Sequence, residues 1–230
     1  MQLEVEAYKD FRIVRGDRIP GGVKRLAFES YLTGVQEEEV ACAVQVQGHS
    51  QLALGLAAQA HRKSCTLFYA EPETNTYVYD QTAQLANVET HFFPRVQRQF
   101  DLEPLVNTYS NATGAHAFCI SNPPPTFVNN LIDVVRTIEH EQPKEVWLLS
   151  GSGTTARALY EVWPDAQYNI VNMGFTEPTI PARVFSVREA TPEPARNPPP
   201  YQSATYYDAK LWYFVKQHAN PRALIWNMAG

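Results

Sequence analysis

Residues 40–70 read "VACAVQVQGHSQLALGLAAQAHRKSCTLFYA". The run opens on an apolar stretch that ends at Gly48. An Ala/Leu-rich stretch from Ser50 follows and reads as a helix, and a second apolar run begins at Cys65. Strand, helix and strand in that order form a βαβ unit, and such a unit implies a parallel sheet. The alternation returns at 145–163, "EVWLLSGSGTTARALYEVW", as strand, Gly/Ser/Thr loop and helix. The expected fold class is α/β.

The rest of the chain extends this pattern. "LEVEAYKDFRIVRGD" alternates apolar and polar residues and reads as extended. "KRLAFESYLTG" predicts a helix stopped by Gly34, with Leu26, Ala27, Tyr31 and Leu32 on or near one face. "TAQLANVETHFFP" reads as a helix leading into a short strand, residues 97–111 carry no clear pattern, and "AHAFCIS" reads as a strand. "NPPPTFVNNLIDVVRTIEHEQ" is a loop followed by an amphipathic helix, with Phe127, Leu131, Val134, Val135 and Ile138 at helical spacing. "YNIVNMGF" and "ARVFSVRE" predict further strands. The proline-rich "ATPEPARNPPPYQSATYY" predicts an extended surface connection. "AKLWYFVKQHAN" then reads as a last helix and "RALIWNMAG" as a terminal strand. Two lobes with parallel sheets are expected, residues 1–40 plus 120–230 forming the larger and 41–119 the smaller.

Of the 230 residues, 44% are hydrophobic and 19% charged, which is ordinary for a soluble globular protein. A net charge of -5 gives no electrostatic argument for nucleic acid, and "PRVQRQF" is the only mildly basic run. Cys42, Cys65 and Cys119 are widely spaced and each lies in an apolar run, which predicts reduced core thiols and no metal site. No apolar run approaches transmembrane length and no secretory pattern opens the chain, so a soluble cytoplasmic protein with no membrane partner is expected.

The motif with most local meaning is Ser150, Gly151, Ser152, Gly153, Thr154 and Thr155. Small residues there let backbone N–H groups approach an anion, and the positive end of a helix favours it. The run lacks the Gly-Lys-Ser/Thr ending of a nucleotide-binding loop and the spacing of a dinucleotide fingerprint, so it suits a terminal phosphate monoester. A plain strand–helix turn would read the same way. Gly48, His49, Ser50 and Gln51 repeat the layout and could hold a carboxylate, although Ser50 also reads as an N-cap. Lys24 follows a Pro-Gly-Gly-Val turn. Alone it reads as a solvated helix start. A lysine, a carboxylate cradle and a phosphate cradle are together what an aldehyde cofactor with a phosphate tail requires. The two glycines before Lys24 would let the backbone pass close to such a cofactor. Tyr206, Tyr207 and Asp208 add a carboxylate beside tyrosines, able to serve a pyridinium nitrogen and an acid/base step, or simply to start a helix.

The ordered set "GGVKR", "GHSQ", "SGSGTT", "YDAK" and "IWNMAG" resembles the fold-type II pyridoxal-phosphate enzymes of the tryptophan synthase beta-like superfamily. It is most similar to the branch with aminocyclopropane-carboxylate deaminase and D-cysteine desulfhydrase. The resemblance runs from about Arg15 to Gly230, in shortened form. It implies pyridoxal 5'-phosphate as cofactor, bound mainly by the larger lobe, and Lys24 as the residue that forms the Schiff base and shuttles the Cα proton. It implies that Ser50 takes the substrate carboxylate beside Gly48, His49 and Tyr206, and that Gln51 stands where the family has an Asn at the cofactor 3-hydroxyl. Ser150 to Thr155 would cup the phosphate, Tyr207 would act near the substrate, and Asp208 would face the ring nitrogen. Asn227, Met228, Ala229 and Gly230 stand in place of a His-Thr-Gly-Gly ending. Gln51 is one methylene longer than Asn, and Met228 has no strong hydrogen-bonding group.

What the resemblance implies is a lyase acting at Cα of a small amino-acid substrate by deamination, elimination or decarboxylation, working as a homodimer. Minimal enzymes of this type also resemble proteins of bacterial viruses that process amino acids attached to thymine in DNA. An amino-acid-modified base in phage DNA hypermodification is therefore a second substrate class, with host cytoplasm as its setting. A non-catalytic cofactor-binding scaffold, and a sugar-phosphate or nucleotide binder using only residues 150–155, are the readings from other classes.

Overall fold

The structure is a computed structural model that describes residues 3–70, 76–93, 99–138, 142–173, 177–190 and 193–230, without the side chain of Phe100. In chain order the elements are β1 (Val5–Tyr8), β2 (Phe11–Arg15), α1 (Val23–Leu32), β3 (Glu39–Val44), α2 (Ser50–Ala60) and β4 (Ser64–Ala70). There follow α3 (Tyr77–Ala83), β5 (Val88–Phe93), α4 (Glu103–Thr113), β6 (His116–Phe118), α5 (Pro125–Arg136) and β7 (Glu145–Ser150). The chain closes with α6 (Thr154–Val162), β8 (Gln167–Asn172), β9 (Arg183–Ser186), α7 (Trp212–His218) and β10 (Leu224–Asn227). Two compact units result, 1–23 with 131–230, and 24–130. Residues 24–40 and 120–130 thus fall in the second unit.

The first unit is built on a six-stranded sheet in the order β1-β2-β10-β7-β8-β9. The β1–β2 hairpin is antiparallel, so this sheet is mixed; β2, β10, β7, β8 and β9 run parallel. β7 is buried at every position, and a strand covered on both faces must be apolar throughout, which is why 145–150 reads as a continuous run. Ile13, Trp147, Leu149, Val171, Leu211, Trp212 and Ile225 form the core on one face. The last strand, β10, lies between β2 and β7 with Asn227 opposite Arg15. The carboxyl ends of β2, β10 and β7 thus sit side by side and deliver Gly16, Met228 and Ser150 to one edge, where open α/β sheets bind ligands.

The second unit holds a four-stranded, wholly parallel sheet in the order β5-β4-β3-β6. Its central β3 ends just before Gly48. Leu102 and Val106 pack on Ala41, Ala43 and Phe68, and they place α4 in the stretch that shows no pattern in sequence. Few of its positions are buried, so its helical period is masked by polar residues. α3 starts at Tyr77, ahead of the predicted "TAQLANV" helix, because Thr76 caps it by accepting the Tyr79 N–H at 3.3 Å.

The proline-rich stretch after β9 has neither helix nor strand among its described residues, but it is tied down. The Glu189 carboxylate accepts the Arg196 N–H at 3.2 Å, the Ala195 N–H reaches the Thr205 carbonyl at 2.8 Å, and Lys210 donates to the Ala190 carbonyl at 2.8 Å. The basic residues of "PRVQRQF", the end of the "YNIVNMGF" strand and residues 139–141 of the "NPPPTFVNNLIDVVRTIEHEQ" stretch lie outside the described residues. Cys42 and Cys65 are buried free thiols, and Cys119 is half-buried. No helix among the described residues is long and apolar enough to cross a membrane.

Candidate active site

In the unit 24–130, Lys24 occupies the second position of α1, and its Nζ donates to Ser50 Oγ at 3.3 Å. Ser50 is the first residue of α2. The N-cap position belongs to His49, and no side chain caps the helix, so the Ser50 hydroxyl is engaged with the lysine rather than with the helix. α2 has no acidic residue in its first turn. Its positive end is therefore suited to a carboxylate. His49 Nε2 lies 2.7 Å from the Tyr77 hydroxyl, with the rings edge to face at 5.6 Å. Burial pushes the His49 imidazole down to about 4, so it is neutral at pH 7.

Gln51 does not turn outward. It is fully buried, donates both amide hydrogens to the carbonyls of Gln45 (3.0 Å) and Val46 (2.7 Å), and accepts the Tyr69 hydroxyl at 2.8 Å. All three polar positions of this amide are thus occupied by the protein's own groups. The extra methylene lets Gln51 reach back to the loop that carries Gly48. Thr76 holds the same loop, donating to the Val46 carbonyl at 2.6 Å.

In the unit 1–23 with 131–230, the loop 150–155 passes from β7 into α6. Gly153 has φ of +77° and a Cβ there would meet nothing within 4 Å, so the loop has an open wall. α6 starts without a side-chain cap and without an acid in its first turn. Ser152 Oγ and Thr154 Oγ1 are 3.1 Å apart, and Ser150, Thr154 and Thr155 are buried. α3, by contrast, is capped by Thr76, and α4 and α7 continue 3-10 turns. α2 and α6 start with neither of these devices.

Tyr207 joins this loop: the Gly151 backbone amide reaches its hydroxyl, while burial and the Asp208 carboxylate push its pKa up. Tyr206 is half-buried in the turn before it. Asp208 is buried and does not cap its own 3-10 turn; its Oδ2 accepts the backbone N–H groups of Met228 (3.0 Å) and Ala229 (3.1 Å). The Met228 carbonyl accepts the Val23 N–H at 2.9 Å, and a Cβ at Gly22, whose φ is +76°, would come within 2.6 Å of it. Gly22, just ahead of Val23 and Lys24, therefore makes room for the turn after β10. Met228 holds this turn through its backbone N–H and carbonyl.

Sequence reasoning missed Asp17, Arg15 and Tyr77. Asp17 receives Arg15 Nε (2.9 Å), Arg15 Nη2 (2.6 Å) and Asn227 Nδ2 (2.8 Å), locking β2 to β10 at the site edge. "RGD" looks like an ordinary strand end, and only the partner choice of β10 reveals the lock. Tyr77 was signalled by the Thr76 to Asp80 helix start, which places it opposite the Gly48 loop.

No family model and no curated protein matches the sequence. Solved structures do match in shape. An ACC deaminase homologue is similar with a TM-score of 0.79 at 12% identity, over 100% of this chain and 89% of that one. The processed form of threonine deaminase isoform 2 from Solanum lycopersicum gives 0.69 at 10% identity, over 100% and 79%. Diaminopropionate ammonia lyase from Escherichia coli, in complex with an aminoacrylate-PLP azomethine intermediate, gives 0.71 at 11% identity, over 100% and 84%. These are fold-type II pyridoxal-phosphate enzymes. This chain has their fold. The α/β architecture with two sheets agrees with the sequence reading.

Proposed function

We propose that the protein is a pyridoxal-phosphate-dependent enzyme acting at Cα of an amino-acid substrate, as a deaminating or eliminating lyase or a decarboxylase. The observation that carries the reading is the Lys24 amine held on Ser50 at the uncapped start of α2, in a chain with the fold-type II fold. Bound pyridoxal phosphate supplies an aldehyde that captures amines and a ring that accepts an electron pair from Cα. The loop 150–155 fits its phosphate through an open wall at Gly153, hydroxyl and amide donors, and no nearby helix acid.

Ser50 orients Lys24 Nζ, and that amine moves the proton at Cα. The α2 amides and Ser50 hold the substrate carboxylate. Tyr207, with its phenol kept protonated, is a donor and not a base at neutral pH. Asp208 is the carboxylate assigned to the ring nitrogen, already fixed on one side by Met228 and Ala229. Gln51 receives no role at the cofactor. Association into a homodimer belongs to the same proposal and is read by sedimentation.

Absorbance spectra of the purified chain with added cofactor test the reading. A visible band that Lys24→Ala removes, with loss of turnover by about a thousandfold or more, is expected. No band in the native chain, or an identical spectrum in the variant, rejects it. An amino-acid panel run beside amino-acid-modified DNA separates the two substrate classes.

A further inference from the structure

The unit 24–130 carries a groove of about 540 Å³ lined by Tyr31, Glu37, His116, Thr126 and Asn130 together with the Ser30 and Gly34–Gln36 turn. That volume is within the range of small-molecule sites. Three of its side chains lie in a row. The Tyr31 hydroxyl is 2.7 Å from His116 Nε2, and His116 Nδ1 is 3.6 Å from a Glu37 carboxylate oxygen. Aromatic packing fixes the phenol from below, with Tyr31 edge to face on Phe118 at 5.3 Å and on Phe127 at 6.1 Å.

The chemistry of this lining is one-sided. It offers one carboxylate, two rings and several neutral hydrogen-bonding groups, and it includes neither lysine nor arginine. Backbone N–H groups and the His116 imidazole hold the Glu37 carboxyl below its usual range, so it is charged at neutral pH. Lys63 donates its ammonium to the carbonyls of Val35 and Glu37 and does not line the groove. Burial and Glu37 raise the Tyr31 phenol, so it stays protonated at neutral pH. The Glu37 carboxylate lines the groove together with the Tyr31 and His116 side chains. A carboxylate beside aromatic faces attracts an organic cation and repels an anion.

We propose that this groove is a second binding site, taking a small ligand through a primary ammonium group seated between Glu37 and the Tyr31 ring. Titration calorimetry on the full chain tests it, with putrescine as probe and acetate and glycerol as matched anionic and neutral probes. Putrescine is expected to bind, about tenfold weaker in Glu37→Gln and a few-fold weaker in Tyr31→Phe, since a charge-assisted contact is the larger loss. The His116 imidazole resonances should move on addition of putrescine and not of acetate. Absence of putrescine binding, unchanged affinity in Glu37→Gln, or equal binding of glycerol or acetate would each overturn the assignment. Both variants keep the half-buried ring at position 31, so thermal melts matching the native chain show that the fold is not at issue.

Discussion

Asp208 and Gln51 do opposite jobs in the two units. Asp208 collects two backbone N–H groups on one oxygen and fixes the turn at the end of β10. Gln51 gives two amide hydrogens to backbone carbonyls and fixes the turn after β3. Both are buried, and both stand beside a motif that sequence reading assigns to ligands. The difference is one of charge and of substitutability. A buried N–H has a single proton and is costly to orphan, while a carbonyl keeps a second lone pair. The turn at the C-terminus should therefore be the more brittle of the two.

The sharpest way to break this comparison is Asp208→Ala. It strands two buried N–H groups and should lower unfolding free energy by about 3–5 kcal/mol, read from urea midpoints. Asp208→Asn keeps an acceptor and should cost less than half of that. Gln51→Ala should cost about 2–3 kcal/mol, from two weakened carbonyls, the Tyr69 hydroxyl and a small cavity. If Gln51→Ala proves the more damaging, the contrast between the two turns is wrong. Gly153→Ala sharpens it from the ligand side. Nothing crowds a Cβ there, so only the left-handed backbone resists, and a loss of about 1–2 kcal/mol is expected in stability or cofactor affinity. A variant that binds cofactor unchanged would show that the loop's open wall is not used.

Local periodicity made most of this fold legible. Strands buried on both faces appear as apolar runs, and the strand–loop–helix at 145–163 needs no long-range information. Topology is different: nothing within 224–227 says that β10 enters between β2 and β7, yet that choice brings Gly16, Met228 and Ser150 to one edge. For the same reason the motifs were visible as motifs while their partners were not. "GGVK" suggests room for a cofactor, and only the neighbouring strand shows that Gly22 faces Met228. Gln51 in a "GHSQ" run looks outward-facing because side-chain direction at a helix start depends on which carbonyls lie within reach. α4 stayed hidden because its short apolar stripe is interrupted by polar residues on every turn.

His49 supplies the smallest and most selective test of the unit 24–130. Its imidazole is pushed from an ordinary value near 6.5 down to about 4 by burial, against the Tyr77 hydroxyl. The unfolded chain therefore takes up the proton first as pH falls. Between those two values the unfolded state binds more protons than the folded one, so stability is complete above pH 6.5 and declines as pH drops toward 4. His49 is partly exposed by area, and screening reduces the effect to on the order of 1 kcal/mol. Urea midpoints at neutral pH and near 4.5 should separate by that amount more in the native chain than in His49→Asn. Parallel curves for the two proteins would mean that the imidazole titrates freely, and that Tyr77 does not enclose it.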